Sequence, residues 1–412
     1  MSASSLFLII VLIVIVNQLL DYFLDFLNIS YRNKPIPDEL KDIYDNEQYI
    51  KQQKYEAETT RFSFFSSFIN FAILLTILFL DGFAILDNYL RIFISNEILV
   101  SLSFFGSLML ASSIIGLPFS VYSTFVIEEK YGFNKTTAKT FVLDLLKSTL
   151  LSVIIGGGLL YLVIFLYQTF GANFWIYTWA VVTAFMLFMN MFYSQLIVPL
   201  FNKQSPLEAG SLRTKIEAFS TKAGFKLNNI FVIDGSKRSS KANAYFSGLG
   251  PKKRIVLYDT LIKDLTEEEI VAVLAHEVGH YKHKHTIKGM FTAVIQTGLV
   301  LFLFSLLIDN PLLSKALGSG HQSFHFGLIV FGFLFEPLSL FIGIFTNIFS
   351  RKNEYQADAY TKQFGLDQDL INGLKQLSRN NLSNLTPHPF YVFMHYSHPT
   401  VLQRMKALNK DS

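Results

Sequence analysis

The stretch LTEEEIVAVLAHEVGHYKHKH, residues 265–285, contains the motif from which the rest of the chain is best interpreted. Thr266 is followed three residues later by Glu269, and this pair is typical of a capping box. A capping box places the start of a helix at about residue 267, just before a run of apolar residues. The histidines that come next are therefore expected on a helix.

His276 and His280 are separated by four residues, so they leave one face of this helix one turn apart. Their rings can then converge on a single small ion, with Glu277 beside them as a general base. This pattern, H-E-x-x-H, is typical of zinc-dependent hydrolysis. A short motif also arises by chance, and the alternative is an ordinary helix with two histidines that face solvent.

His283 and His285 have a different expected role. His283 lies seven residues after His276, an axial rise of about 10.5 Å, whereas zinc–nitrogen bonds are about 2.1 Å. One ion cannot easily bind both. We therefore interpret these two later histidines as part of a solvated or lipid-headgroup face, together with the neighbouring lysines Lys282, Lys284 and Lys288.

The composition indicates a polytopic membrane protein. Of 412 residues, 51% are hydrophobic and only 16% charged, whereas soluble domains carry about a quarter charged residues. The chain contains no cysteine, which excludes disulfides and thiolate metal ligands. Its net charge of +4 is too small to indicate nucleic-acid binding.

A spanning helix needs about 20 largely apolar residues. Seven segments qualify: 4–25, 62–84, 97–122, 147–170, 174–197, 289–308 and 324–349. We interpret the first as a retained span and not a cleaved signal peptide, because no small-residue cleavage site follows it. The stretches after the first, third, fifth and seventh spans are rich in Lys and Arg, and the others contain at most one. This alternation predicts an N-terminus outside and a cytoplasmic C-terminus.

The fold class expected from these features is a mainly α membrane protein with a small β-sheet. The chain divides into four regions: 1–197 with spans one to five, 198–288 with the HEVGH helix, 289–349 with spans six and seven, and 350–412. The regions 198–288 and 350–412 are expected to form the polar catalytic part on the cytoplasmic side. Within residues 198–288, short apolar runs separated by Gly and Pro predict three short strands, at about 229–234, 242–248 and 254–259.

A catalytic zinc takes three protein ligands and keeps one open position. The segment SRKNEYQADAY, directly after the seventh span, offers Glu354 and Asp358 one helical turn apart. We expect Glu354 as the third ligand. Asp358 is then placed to accept a hydrogen bond from the far nitrogen of a ligand histidine and to fix its tautomer. The alternative is a surface carboxylate pair that balances Arg351 and Lys352.

With these residues in view, the chain resembles the M48 family of integral-membrane zinc metalloproteases. HEVGH and NEYQADAY carry the family resemblance, and longer blocks resemble the Ste24 type, the type I CAAX prenyl proteases. The blocks are STFVIEEKYGFNKTT (123–137), LFNKQSPLEAGSL (200–212), IDGSKRSSKANAYFSGLG (233–250) and YSHPTVLQR (396–404). The resemblance thus extends over most of the chain.

The resemblance implies roles for individual residues. His276, His280 and Glu354 match the family's zinc ligands, with one Zn²⁺ per chain, and Glu277 matches its catalytic glutamate. Asn243 matches an asparagine on an edge strand that is expected to pair with the substrate backbone, because an extended peptide can add to an exposed strand edge.

Two residues of the tail gain a role from the resemblance. His398 and Arg404 match residues expected to stabilise the oxyanion, for which both side chains offer suitable donors. The family's fold implies seven long helices around a chamber, with a zincin-like metalloprotease domain at its cytoplasmic end. Glu336, in the last span, fits such a wet interior, and the alternative is a protonated glutamate packed between helices.

The substrate implied by the resemblance is a protein with a C-terminal CAAX box, prenylated or not, presented at a lipid membrane. One alternative keeps the chemistry and changes the client to misfolded membrane proteins. That alternative suits a bacterial inner membrane, which we expect over the endoplasmic reticulum because extended tails and retention signals are lacking. The rival from another class is a transporter or channel, which leaves HEVGH and NEYQAD unexplained.

Overall fold

The structure is a computed structural model that describes residues 1–32, 34–224, 230–247 and 254–410. Helices dominate it. Their bounds are α1 (Ala3–Ser30), α2 (Asn46–Phe79), α3 (Gly82–Phe93), α4 (Glu97–Tyr122), α5 (Ala138–Leu151), α6 (Gly158–Phe170), α7 (Phe174–Leu196), α8 (Val198–Phe201), α9 (Ser211–Lys222), α10 (Asp259–Asp264), α11 (Glu267–Lys282), α12 (His285–Leu307), α13 (Pro311–Ala316), α14 (Phe324–Lys362), α15 (Asp367–Asn380), α16 (Pro389–His395) and α17 (Val401–Asn409).

Within the described residues, six helical runs are long and apolar enough to cross a membrane. The longest, Ala138–Phe201, has 64 residues and includes both the fourth and the fifth predicted spans. A short helical turn at Gly171–Asn173 separates α6 from α7 within it, where Gly171 has a φ of +51°. The seven predicted spans therefore all lie on helices, and the two long segments that flank the catalytic motifs are α12 and α14.

The last spanning helix, α14, continues without interruption into the polar sequence that follows it. It has 39 residues and passes through Pro337. The sequence predicts NEYQADAY directly after a span, and in the structure it lies on the same helix as that span. One continuous helix thus carries both a membrane crossing and the acidic motif.

The sheet has four strands in the order β1-β2-β4-β3. The strands are β1 (Gln204–Pro206), β2 (Ile230–Ile233), β3 (Ala244–Ser247) and β4 (Arg254–Tyr258). β2 and β4 are parallel, and the two outer strands are antiparallel to their neighbours. Three strands agree with the prediction, although residues 229 and 248 lie outside the described residues. β1 was not predicted, and β3 is an edge strand.

The core of the polar part forms between this sheet, α9 and α11. Ile216, Val256 and Val278 are fully buried. A second cluster joins α15 and α17 to loops that follow the first and third spans, through Leu40 and Ile127. The Lys- and Arg-rich loops therefore lie at the same end of the bundle as the HEVGH helix, as the charge alternation predicts.

The catalytic helix α11 begins as predicted. The Thr266 side chain accepts a hydrogen bond from the Glu269 backbone, and the Glu269 side chain accepts one from the Thr266 backbone. Along its length α11 packs against α14 at very short range. A Cβ built on Gly279 would lie 3.0 Å from the Cα and the carbonyl oxygen of Ala357. Any larger residue would require the Ala357 backbone to shift by a few tenths of an ångström, so glycine at this position favours the close approach of the two motifs.

Candidate metal centre

Three side chains from α11 and α14 converge at the junction of these helices. The Nε2 atoms of His276 and His280 are 3.1 Å apart. Glu354 completes the group, with Oε2 3.4 Å from His276 Nε2 and Oε1 3.2 Å from His280 Nε2. His276 and Glu354 are buried, and His280 is partly buried.

The chemistry of this donor set fits a zinc ion. Bonds of about 2.0–2.1 Å in a tetrahedron place neighbouring ligand atoms about 3.3 Å apart, close to the three distances observed. Glu354 Oε2 is buried without a hydrogen bond to any described residue. A carboxylate and two ring nitrogens that face one another so closely offer a cation three donor atoms. The three side chains could therefore hold zinc.

The other nitrogen of His276 is held by α14. His276 Nδ1 lies 2.8 Å from Asp358 Oδ1, the contact expected from the sequence. Burial lowers the pKa of His276, but its contacts with Asp358 and Glu354 outweigh that effect and raise the pKa to about 9. A proton on Nδ1 leaves the lone pair of Nε2 directed at the other two ligands, as a metal ligand requires.

His280 is supported by a residue to which the sequence assigned no such role. His285 Nδ1 lies 3.0 Å from His280 Nδ1, and His285 Nε2 lies 2.9 Å from Gln356 Oε1. His285 is buried, so its predicted place on a solvated face is wrong. The chain bends at Lys284, which has a φ of +58°, and this bend returns His285 to the site. His283 is exposed, as predicted.

Glu277 lies in the cleft beside the ligands. It lines a cavity of about 390 Å³ together with His276, His280 and Glu354. Its carboxylate makes no hydrogen bond to any residue in the described part of the chain. A half-buried carboxylate that is not engaged elsewhere can accept a proton from a water in this cleft.

The two tail residues enter the cleft in different ways. His398 is largely exposed, and its Nε2 lies 3.5 Å from Glu354 Oε1 while its Nδ1 is 2.9 Å from Ser397 Oγ. Arg404 is buried, and its guanidinium pairs with both oxygens of Asp358, with Nε donating at 2.9 Å. Its Nη1 lies 3.7 Å from Glu354 Oε2. Arg404 is thus mainly a partner of Asp358.

Asn243 stands at the start of the edge strand β3. Its side-chain oxygen accepts a hydrogen bond from the Ala244 backbone at 2.8 Å, and its carbonyl accepts one from Tyr258 at 3.1 Å. The side chain is exposed and lines the same cavity as the metal ligands. The structure therefore brings together every site residue that the sequence predicted.

Glu336 lies away from this centre. It lines a polar cavity of about 430 Å³ within the bundle, whose other walls include Asn17, Gln18 and Asp21. Its side chain is exposed to that cavity. These surroundings favour the wet interior over a glutamate packed between helices.

A membrane bundle that carries a buried HExxH-plus-carboxylate centre defines a membrane-embedded metallopeptidase. Comparison with family models agrees. A model described as "CAAX prenyl protease N-terminal, five membrane helices" matches residues 26–203, and one described as "Peptidase family M48" matches residues 206–412. The chain belongs to peptidase family M48.

Similar proteins are found across eukaryotes. "CAAX prenyl protease 1 homolog" of Arabidopsis thaliana is 38% identical over 409 residues, which cover 96% of each chain. "CAAX prenyl protease 1" of Saccharomyces cerevisiae is 36% identical, with coverage of 91% of this chain and 88% of the yeast protein. The "CAAX prenyl protease 1 homolog" of Homo sapiens is 34% identical, with coverage of 90% and 88% respectively.

The fold is also that of a solved structure. The crystal structure of S. mikatae Ste24p superposes with a TM-score of 0.93 at 36% identity, over 98% of this chain and 99% of the other. The family and the apolar helices together identify an integral multi-pass membrane metalloprotease. The transporter or channel alternative thereby loses its basis.

Proposed function

We propose that this protein is a zinc endopeptidase that removes the C-terminal tripeptide from CAAX-box proteins after the cysteine has been prenylated. The observation that carries the chemistry is the convergence of His276, His280 and Glu354 at distances that match the edges of a zinc tetrahedron. The names of the relatives support the substrate class.

In this proposal one Zn²⁺ per chain is held by those three side chains. When bound, zinc supplies Lewis-acid polarisation of the scissile carbonyl and lowers the pKa of a water. Asp358 fixes the tautomer of His276, and the His285–Gln356 pair does the same for His280. The ligands are thus oriented before substrate arrives.

The chain's own residues move the proton and hold the charge. Glu277 takes a proton from the attacking water and delivers it to the leaving amine. His398 donates to the oxyanion, for which its exposed ring on the cleft wall is well placed. Arg404 adds positive charge through Nη1, while its other nitrogens position Asp358.

The substrate chain binds in extended form along β3. The outer edge of β3 has no strand partner among the described residues, so its backbone groups are available for β-strand addition. Asn243, at the start of that edge, orients the substrate next to the cleft.

We further propose that the centre faces the cytoplasm. The positive loops pack at the same end of the bundle as the catalytic helix, which agrees with the positive-inside rule. Residues 198–288 and 350–412 form the catalytic part, on spans from 1–197 and 289–349. The expectation of a bacterial inner membrane stays a prediction, and the relatives named above are eukaryotic.

The experiment compares two peptides that end in a CAAX box, one farnesylated and one not, with the protein purified in detergent. Mass spectrometry is expected to detect release of the last three residues, favouring the farnesylated peptide, and 1,10-phenanthroline is expected to abolish it. Equal cleavage of both peptides, or cleavage elsewhere, would instead support the quality-control alternative.

The Glu277→Gln variant tests the general base. We expect zinc content to stay at one ion per chain while turnover falls by about 10²–10⁴-fold, the range for removal of general acid–base catalysis. Glu268→Gln, on the exposed side of the same helix, is the matched control and keeps its activity. A Glu277→Gln protein that cleaves at the wild-type rate contradicts the assignment.

A further inference from the structure

A second cavity adjoins the catalytic cleft. It has a volume of about 850 Å³ and shares Asn243 and Thr286 with the cleft that contains the metal ligands. Its main walls are apolar side chains of α7, the sheet and the α7–β1 connection: Phe185, Met186, Met189, Tyr193, Phe201 and Tyr245. Small-molecule sites have volumes of roughly 300–1,000 Å³, so this cavity is large enough for a ligand.

The edge of the sheet separates the two cavities. Ala242 and Ala244 line the catalytic cleft, whereas Tyr245 lines the second cavity and Asn243 lines both. Because successive side chains of a strand point to opposite faces, the cleft and the second cavity lie on opposite faces of β3. The side chains of a peptide added to this edge alternate between the two faces in the same way. Its neighbouring side chains then enter different cavities.

The cleft itself has an apolar wall that suits one of these side chains. That wall is formed by Leu261, Val273, Leu370, Leu374 and Leu377. In a CAAX sequence the bond cleaved joins the cysteine to an aliphatic residue. When the peptide is extended, the side chains of these two residues point to opposite faces of the sheet. The aliphatic side chain matches the leucine-lined wall, which leaves the second cavity for the cysteine side chain.

We propose that this second cavity binds the thioether-linked isoprenyl chain of the substrate, an inference that rests on the proposed function. None of the described residues that line the cavity is charged. Methionine and aromatic side chains adapt well to a branched, unsaturated hydrocarbon. α7, which forms one wall of the cavity, belongs to the apolar run Ala138–Phe201, so this wall is part of a segment apolar enough to lie in the bilayer.

Two other cavities are chemically unsuitable for a hydrocarbon chain. The cavity inside the bundle contains the carboxylates of Asp21 and Glu336. A cavity of about 1180 Å³ beside α2 is lined by aromatic side chains and also by charged ones, including Lys54, Glu58 and Arg61. An apolar chain packed against such charged groups would remove them from water, which is energetically unfavourable. Neither cavity shares a described residue with the cleft that holds the metal ligands.

The first test narrows the cavity with Met189→Trp. We expect KM for a farnesylated peptide to rise about tenfold, as for other misfits in apolar pockets, and more for a geranylgeranylated one. The same peptide with S-methylcysteine keeps its KM, which also shows that the variant is folded. Leu187→Trp is the matched control, since Leu187 is on the same helix and outside the cavity. Equal losses for all peptides, or equal losses in both variants, overturn the proposal.

The second test does not depend on turnover. A CAAX peptide whose isoprenyl chain carries a photoreactive diazirine is bound to the Glu277→Gln variant, irradiated and mapped by mass spectrometry. Crosslinks on residues 185–193 support the proposal even if the wild-type protein fails to cleave, in which case only the proposed function falls. Crosslinks on α1 or α2 together with normal wild-type cleavage overturn the inference and leave the function intact.

Discussion

The described part of the chain contains two buried histidine–carboxylate pairs, each with one member on α14. These two members, Asp358 and His325, are about 50 Å apart along the helix at a rise of about 1.5 Å per residue. At one end His276 Nδ1 lies 2.8 Å from Asp358, which pairs with Arg404. At the other end, His325 Nε2 lies 3.0 Å from Asp87, although off the ideal hydrogen-bond direction. Asp87 in turn accepts from Arg91 Nε at 2.9 Å.

The two pairs differ at the second ring nitrogen. His325 Nδ1 is 3.0 Å from the hydroxyl of Ser101, and His325, Asp87 and Ser101 are nearly inaccessible to solvent. His276 Nε2 instead faces His280 Nε2 and a carboxylate oxygen of Glu354. Both of these atoms must be unprotonated when zinc binds. The same motif therefore closes a structural network at one end and leaves an ion site at the other. Four substitutions test this contrast.

The largest effect is expected for Asp87→Asn. It removes the charge that faces the fully buried His325, whereas Arg91 keeps its ion pair with Glu97, and loss of one member of a buried pair costs about 3–5 kcal/mol. Thermal unfolding in detergent should shift strongly downwards, while metal analysis should still find one zinc per chain. Loss of zinc from folded Asp87→Asn protein would mean that the two ends are not independent.

Asp358→Asn changes the equivalent carboxylate at the metal end. Partners of ligand histidines typically contribute 10–100-fold to metal affinity, so zinc affinity should fall by about that factor. Competition with a chromophoric chelator measures it. The Asp87→Asn protein is the control and should bind zinc as tightly as wild type. Unchanged affinity in Asp358→Asn would remove the orienting role from Asp358.

Gly279→Ala probes the close approach of α11 to α14. The added methyl group would lie 3.0 Å from Ala357 backbone atoms, and overpacking of this kind costs about 2 kcal/mol. The free energy of unfolding should fall accordingly. Gly289→Ala is the control, because a Cβ there has no atom within 4 Å, and its stability should stay the same or rise slightly. Equal behaviour of the two variants would contradict the packing argument.

The smallest effect is expected for His285→Ala. It removes the group that faces His280 Nδ1, and zinc affinity should fall about tenfold, the lower end of the range for such partners. His283→Ala changes an exposed histidine two residues away and should leave affinity unaltered. If both variants bind zinc equally, His285 is only a packing residue.

Most of the site could be predicted because its residues follow local rules. The capping box and the i, i+4 spacing determine which side chains share a face of α11, whatever the tertiary structure. The spans follow from length and apolarity alone. Glu354 was within reach of this reasoning because a second carboxylate motif follows a predicted span.

What the sequence did not reveal depends on tertiary placement. The role of His285 follows from a left-handed residue at Lys284, and non-glycine residues adopt that conformation too rarely to be predicted. Arg404 pairs with Asp358 across 46 residues of sequence. β1 is a three-residue strand that includes Pro206, so no alternation identifies it. α14 continues through Pro337, although proline usually interrupts a helix, so no local pattern in the sequence indicates this continuity.

This continuity has a consequence for the setting in which the enzyme works. Glu354 lies 18 residues beyond Glu336 on the same helix, a distance of about 27 Å along its axis. A rigid helix that pivots by about 5° at Glu336 moves Glu354 by about 2 Å, and spanning helices change their tilt to match bilayer thickness. A change in the thickness of the surrounding lipid bilayer is therefore expected to change the position of Glu354 relative to His276 and His280.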